Sequence, residues 1–465
     1  MTKKEIPVSK NQYYEAKIES LTHDGLGVAR IEGFPLFVPN ALVDEEVTLK
    51  TTLIKKKFGF GRAVDYHTKS PSRVTPPCDI YKNCGGCQLQ HLNYEGQLQM
   101  KKELVQNNLK RIGHLEEVKV LKTIGMEKPW RYRNKTQVPF GRVAGEVVAG
   151  FYQKRSHEIM NMETCLIQTE ISDQIVDTMR ELSKDLGIEP YNEETNSGII
   201  RHVIVRVGFK TDEVMVVIVT RTAEFENKEK VIETLINKFP QIKSIAQNVN
   251  PKITNVIFGE ETKVLYGEPY IYDELNGIRF AISPRSFYQV NPIQTEILYA
   301  KAVEFAGLTG DEVVFDAYCG IGTITLFLAQ HAKKVYGVEI VPEAISDARM
   351  NAVLNGFDNA EFEVGKSEDV IPKWISEGII PDVIVVDPPR KGCDRTLLDT
   401  ILKAGPQRIV YVSCDSSTLA RDLTILVDGG YEVDVVQPVD LFPSTTHVEC
   451  ISRLVKKSKK ERQSR

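Results

Sequence analysis

The chain has 465 residues, room for two to four domains with well-filled cores. With 59 Lys and Arg against 63 Asp and Glu, the net charge of −4 does not advertise a nucleic-acid binder, although a whole-chain total can hide local basic patches. No apolar run reaches membrane-spanning length, and MTKKEIPVSK has no signal-peptide core, so the expectation is a soluble, cytoplasmic, monomeric protein whose eight cysteines are free thiols or ligands.

Residues 12–66 read as all-β. The runs YYEAKIESL, VTLKTTLI and FGRAVDY are separated by the turn signals HDGLG and EGFP, a spacing that suits a small closed barrel. KKKFGFG, residues 55–61, joins three lysines to two phenylalanines, which serves either as a solvated hairpin tip or as a surface for phosphates and stacked bases. SPSRVTPP, residues 70–77, reads as a linker.

A cysteine cluster follows. CDIYKNCGGCQLQH places Cys78, Cys84 and Cys87 at C-x5-C-x2-C spacing, with His91 or the distant Cys165 available as a fourth ligand. Four thiolates suit zinc or an iron–sulfur cluster equally well, and unligated reactive thiols are the third option. Helical spacing runs from Leu92 to Arg111, and WRYRNKTQVPF (130–140) reads as a basic strand. Residues 171–275 alternate amphipathic helices with strands such as HVIVRVGF and EVMVVIVT. Together these predict a central α+β domain.

From about residue 290 the pattern becomes helix alternating with apolar strand: EVVFDAY, KVYGVEI, DVIVVDPP and RIVYVSC. Strands apolar on both faces belong to a doubly wound, Rossmann-like α/β domain. VVFDAYCGIGTITLFLA is a strand, a glycine turn and a helix, with Gly320 and Gly322 allowing close backbone approach to a ligand. Its D-x-x-x-G-x-G spacing differs from the G-x-G-x-x-G of dinucleotide binders and disfavours NAD. Glu339, about twenty residues on at the end of VYGVEI, is placed for a ribose diol, and with VVDPPR the set resembles an S-adenosylmethionine-dependent methyltransferase.

Methylation of a pyrimidine C5 needs a thiolate to add at C6 and a base to take the C5 proton, whereas an amine acceptor needs neither. Cys414, at the end of RIVYVSC, and FPSTTHVE, with His447 and Glu449, offer such a pair. Cys319, Cys393 and Cys450 read as packing or loop thiols, His447 as a structural hydrogen-bonding residue, and Pro388 and Pro389 as shaping the turn at Asp387.

The ordered set FYQVN, DAYCGIG, DPPRKG, YVSCDSSTLARDL and FPSTTHVE resembles the RNA uracil-C5 methyltransferase family over residues 280–455. The resemblance implies Cys414 as nucleophile and Glu449 as proton-abstracting base. It places Gln289, Tyr318, Glu339 and Asp387 at the S-adenosylmethionine site, where the turn at Gly320 is already expected to admit the ligand, and Phe287 near the target base. Residues 12–66 resemble the TRAM domain, an RNA-binding barrel, and C-x5-C-G-G-C with Cys165 resembles members holding a [4Fe–4S] cluster on Cys78, Cys84, Cys87 and Cys165. His91 would then be a neighbour of the cluster, not a ligand. The combination implies three units, 1–70, 71–285 and 286–465, the last ending in a basic tail, and a 23S rRNA substrate. The alternatives are a tRNA substrate, a cytosine-C5 enzyme, or a non-catalytic iron–sulfur RNA-binding protein.

Overall fold

The computed structural model describes residues 6–154 and 156–458. The basic residues 459–465 of the expected tail lie outside that range. Among the described residues no helix is long and apolar enough to cross a membrane.

Strands β1 (Tyr13–Leu21), β2 (Gly27–Ile31), β3 (Phe34–Val38), β4 (Glu46–Ile54) and β5 (Gly59–Thr68) close a barrel in the order β1-β2-β3-β5-β4, as the strand spacing predicts. Ile18, Leu36, Val38, Val47 and Leu49 fill it. The linker after it is pinned: Arg73 meets the buried Glu45 carboxylate at 2.5 Å. In the KKKFGFG turn, Phe58 and Phe60 gather with Phe37, their ring centroids 5.5–5.8 Å apart.

Helix α1 (Tyr94–Arg111), capped by Asn93, leads to a second sheet. That sheet contains β6 (Lys135–Val143), β7 (Glu146–Tyr152), β8 (Ile159–Asn161), β9 (Ile200–Val207), β10 (Val214–Thr220), β11 (Ile242–Val249) and β12 (Glu261–Gly267). The order is β12-β11-β10-β9-β6-β7-β8, with only β10 and β11 parallel. Helices α2 (Glu170–Asp185) and α3 (Lys228–Lys238) cover one face through Ile175, Val176, Val231 and Leu235. The other face, with Met215, Val217 and Val219, joins the core of the C-terminal domain, because alternate strand residues point to opposite sides. The WRYRNK stretch departs from expectation. The strand begins only at Lys135, while Arg131 adopts φ 56° and the 131–133 backbone bonds to Leu166 and Ile167.

A hairpin of β13 (Ile271–Leu275) and β14 (Ile278–Ile282) precedes the C-terminal domain. There α4 (Pro292–Ala306), β15 (Val313–Ala317), α5 (Thr323–Ala329), β16 (Lys334–Glu339), α6 (Pro342–Leu354), β17 (Ala360–Val364) and α7 (Ser367–Ser376) come first. β18 (Val383–Val386), α8 (Arg395–Ala404), β19 (Arg408–Ser413), α9 (Ser416–Asp428), β20 (Tyr431–Val439) and β21 (Glu449–Lys456) complete it. The sheet order β17-β16-β15-β18-β19-β21-β20 is parallel except for β21, which runs against both neighbours. Val383 and Val385 face one helical layer, Ile384 and Val386 the other. Helix α1, although it lies between the barrel and the second sheet in sequence, packs Val105 and Leu109 into this second layer.

Candidate active site

The carboxyl ends of β15, β16, β18 and β19 lie along one sheet edge, where Tyr318, Glu339, Asp387 and Cys414 follow or end their strands. Open α/β sheets bind ligands at this edge, at the crevice where strand order reverses around β15. Glu449 reaches the same edge from the opposite direction. Ser413 pairs with Cys450, so one step further along the antiparallel ladder Cys414 faces Glu449.

The electrostatics of this group are unusual. Burial pushes the Glu449 carboxyl up to about 8, and the nearby Asp387 adds to the shift while Arg390 opposes it. Burial raises Asp387 to about 7. The Cys414 thiol is pushed to about 12 by burial and by the charges of Glu449 and Asp387, again against Arg390. Cys414 is half-buried and is fixed by the helix that follows: Asp415 caps α9, accepting from the backbone N–H groups of Ser417 (2.8 Å) and Thr418 (3.1 Å). Burial would raise the Asp415 carboxyl, but these hydrogen bonds outweigh it and hold it below its ordinary value.

The glycine turn divides the two predicted roles. Gly320 has φ +54° and open space where a Cβ would stand, so a ligand can approach its backbone there. Gly322, at φ +85°, would drive a Cβ to 3.2 Å from Phe362 and 3.3 Å from Ala348, so it serves helix packing instead. Tyr318 takes φ 99°, a strained conformation for a non-glycine residue, and its hydroxyl meets Cys393. Gln289 is close to Tyr299, whose hydroxyl meets Thr323 Oγ1 at 3.3 Å and which senses the charges of Asp387 and Glu449. Phe287 stands 69% exposed close by in the chain. Among the described residues the His447 ring has no hydrogen-bond partner; it meets Phe442 edge-on, ring centroids 6.0 Å apart. Cys319, Cys393 and Cys450 are buried, as expected for packing thiols.

Two groups escaped the sequence reading. Asp316 is fully buried and accepts from Thr325 at 2.5 Å, but its Oδ1 has no protein partner, and burial raises its carboxyl to about 7. The D of D-x-x-x-G-x-G was the available signal. Arg390, in the quoted DPPR, is the cation that opposes the carboxyl charges around Cys414.

Cys78, Cys84, Cys87 and Cys165 line one cavity of about 280 Å³, together with Arg133 and Lys135. Among the described residues no three His, Cys, Asp or Glu groups converge on a single metal ion. Of the expected metal centre the structure shows four thiols lining one cavity. His91 stays off the cavity wall, bonded through Nδ1 to the Tyr81 hydroxyl at 2.7 Å. Burial raises Cys87 to about 11 and Cys165 to about 12. Lys135 is lowered to about 8 by burial and by its neighbours Arg206 and Arg133. Arg131 is engaged rather than free: it bonds the Cys165 carbonyl at 2.7 Å and Asp173 at 2.6 Å.

The sequence matches the models of the TRAM domain over residues 7–64, of a methyltransferase domain over 308–407, and of tRNA (uracil-5-)-methyltransferase over 379–457. An uncharacterized RNA methyltransferase of Bacillus cereus is 58% identical over 450 residues, spanning 97% of this chain and 98% of its own. The chain belongs to the RNA uracil-C5 methyltransferase family. A Clostridium acetobutylicum relative named as an RNA methyltransferase shares 52% over 450 residues, covering 96% and 98% of the two chains. The crystal structure of Pyrococcus abyssi tRNA (uracil-54, C5)-methyltransferase, solved with S-adenosyl-L-homocysteine, superposes with a TM-score of 0.76 at 29% identity, covering 95% of this chain and 100% of that one. This uracil-C5 methyltransferase thus has the TRAM barrel and the catalytic fold expected of it. S-adenosylmethionine is the methyl donor that this fold takes.

Proposed function

We propose that the protein methylates C5 of a uridine in 23S rRNA, acting as a monomer, with Cys414 as nucleophile and Glu449 as base. The observation that carries this reading is the facing of Cys414 and Glu449 across the end of the β19–β21 ladder, beside Asp387. Gln289, Tyr318, the open backbone at Gly320, Glu339 and Asp387 would hold S-adenosylmethionine, Glu339 by taking the ribose hydroxyls. When bound, the donor supplies an electrophilic methyl group on a sulfonium.

A uridine stacked in RNA must be extruded to reach the sheet edge, which costs a few kcal/mol offset by contacts to flanking RNA. The exposed Phe287 offers a face for the extruded base, and the Phe37–Phe58–Phe60 cluster beside Lys55 a second stacking surface on the barrel. Cys414 rests as a thiol, so its proton leaves to water at the half-exposed rim as the sulfur adds to C6, with Arg390 favouring the anion. Addition turns the ring into an enolate whose C5 would take the methyl as the S–CH3 bond of the sulfonium breaks, leaving S-adenosylhomocysteine. Glu449 then removes the C5 proton, the C6–S bond breaks, and 5-methyluridine leaves with Cys414 restored.

Cys78, Cys84, Cys87 and Cys165 would hold a [4Fe–4S] cluster. Four thiols lining one cavity supply the number and type of ligands such a cluster takes, and the cations lining the space suit its negative charge. Methyl transfer moves no electrons through it. In this reading residues 1–70 bind RNA, 71–285 carry the cluster and 286–465 perform the chemistry.

One observation favours a tRNA substrate as a second reading: the full-length match to the archaeal tRNA enzyme. Both readings are separated by 5-fluorouridine-substituted 23S rRNA fragments and tRNA transcripts, incubated with S-adenosylmethionine and run on denaturing gels. Fluorine at C5 cannot leave as a proton, so a covalent adduct persists. A band on rRNA that requires Cys414 supports the first reading, a band on tRNA alone replaces it with the second, and no band on either removes the nucleophile role.

A further inference from the structure

The loop between β20 and β21 carries the chain into Glu449, and five consecutive carbonyls in it, from Asp440 to Ser444, each have their own donor. Gln294 Nε2 bonds the Asp440 carbonyl (3.0 Å), Asn291 Nδ2 that of Leu441 (2.9 Å) and Lys101 Nζ that of Phe442 (3.0 Å). The Tyr132 hydroxyl bonds Pro443 (3.0 Å), and the backbone N–H groups of Gln88 and Leu89 both bond Ser444 (2.9 Å each). Ser444 itself has φ 67°, outside the ordinary range for serine, so the loop conformation is imposed by these partners.

The last two grips come from the two halves of the cysteine set. Gln88 is the residue after Cys87. Gln97, buried in α1, accepts from the Ser444 N–H at 2.9 Å while its Nε2 donates to the Leu89 and Leu92 carbonyls, tying the same segment to the loop. Tyr132 sits between Arg131 and Arg133, whose N–H groups bond the carbonyls of Leu166 and Ile167, directly after Cys165. Neighbouring peptides of the catalytic loop are thus held from the Cys87 side and from the Cys165 side of one cavity.

We propose that the cysteine cavity is a tie that positions the catalytic loop, with Tyr132 and Gln97 as its positioning residues. A group bound by all four thiols fixes the Cys87 and Cys165 segments relative to one another, and through them the Pro443–Ser444 peptides and the start of β21. The proposal rests on the reading of Glu449 as base and gives the cavity a task in a reaction that has no redox step.

The test uses the full-length protein as wild type, Tyr132→Phe and Cys165→Ala, with Glu449→Gln in parallel. Tyr132→Phe keeps the buried ring and all four cysteines, so it decides the matter if Cys165→Ala does not fold. Deuterium uptake by residues 440–449 should rise about tenfold in both variants, the scale of one lost buried hydrogen bond. In single turnovers with uridine RNA, release of 5-methyluridine should slow by a similar factor and covalent adduct accumulate, while affinity for S-adenosylhomocysteine stays at the wild-type value. Unchanged loop uptake in Tyr132→Phe overturns the proposal, as does a loss of cofactor affinity in step with the loss of turnover. Turnover without adduct build-up in Glu449→Gln defeats the base role alone, and the tie is then judged on deuterium uptake.

Discussion

Cys414 at the sheet edge and Cys87 in the cavity are both raised by burial, to about 12 and about 11, yet they keep opposite company. Cys414 faces two carboxyls, Glu449 and Asp387, with one arginine against them. The residues lining the cavity include no carboxylate; its charged side chains are Arg133 and Lys135, and Lys154 is close enough to Cys84 and Cys87 to sense both. The same functional group is thereby suited to different work. Anionic neighbours hold Cys414 as a thiol until a cationic ligand enters beside it, which suits a reversible nucleophile. Around the cavity burial outweighs the cations and keeps Cys87 and Cys165 as thiols, so Arg133 and Lys154 only lessen the cost of forming thiolates there.

The largest expected effect is a double dissociation of these two sites. Cys414→Ala should lower methyl transfer by on the order of 10³-fold or more while iron and acid-labile sulfide per chain stay at wild-type values. Cys165→Ala should lose the iron and sulfide yet retain Cys414-dependent adduct on fluorinated RNA. Iron loss in Cys414→Ala, or retention in Cys165→Ala, would break the contrast.

Next in size, Glu449→Gln should slow turnover by about 10²–10⁴-fold and accumulate adduct on ordinary uridine RNA. The wild-type carboxyl at about 8 must be ionised to accept a proton, so the product-release rate should climb from pH 6 toward pH 8 and then level, and the variant should lack that climb. A flat wild-type profile would remove Glu449 as the titrating base.

The smallest effect is on stability. Asp316, Asp387 and Glu449 are all raised in the folded protein, above ordinary values of 3.8, 3.8 and 4.5. Their contribution is intact below those ordinary values and is lost as pH climbs through about 7 to 8. Ligand-free protein should therefore lose stability on the order of 1–3 kcal/mol from pH 5 to pH 8.5, and Asp316→Asn should flatten the decline, by urea denaturation. Stability rising over that range would show that the fold does not raise these three carboxyls.

The residues at the strand ends were legible because each stands where an apolar run stops. VIVV gives way to Asp387, RIVYVS to Cys414, and Glu449 opens β21. The barrel was readable for the same local reason, its turns falling between alternating runs. Arg390 and Asp316 stood inside quoted motifs but carried no local sign that one would balance the carboxyls and the other keep an unpaired oxygen. WRYRNK misled because basic composition cannot show direction. Arg131 turns to Asp173 and the Cys165 carbonyl, and Arg133 lines the cavity. The partners of Lys101, Tyr132 and Gln97 lie more than 300 residues away in sequence, beyond the reach of any periodicity.

The pair of Lys101 and Asp440, both fully buried and 2.5 Å apart, also sets a timetable for synthesis. Until the ribosome has passed residue 440, α1 has a lysine with no counter-ion, and burying it alone would cost several kcal/mol. The barrel has a core of its own, but α1 and the apolar face of the second sheet cannot settle against a domain that does not yet exist. Closure of the molecule, and with it the shape of the loop before Glu449, therefore waits on the segment that carries Asp440.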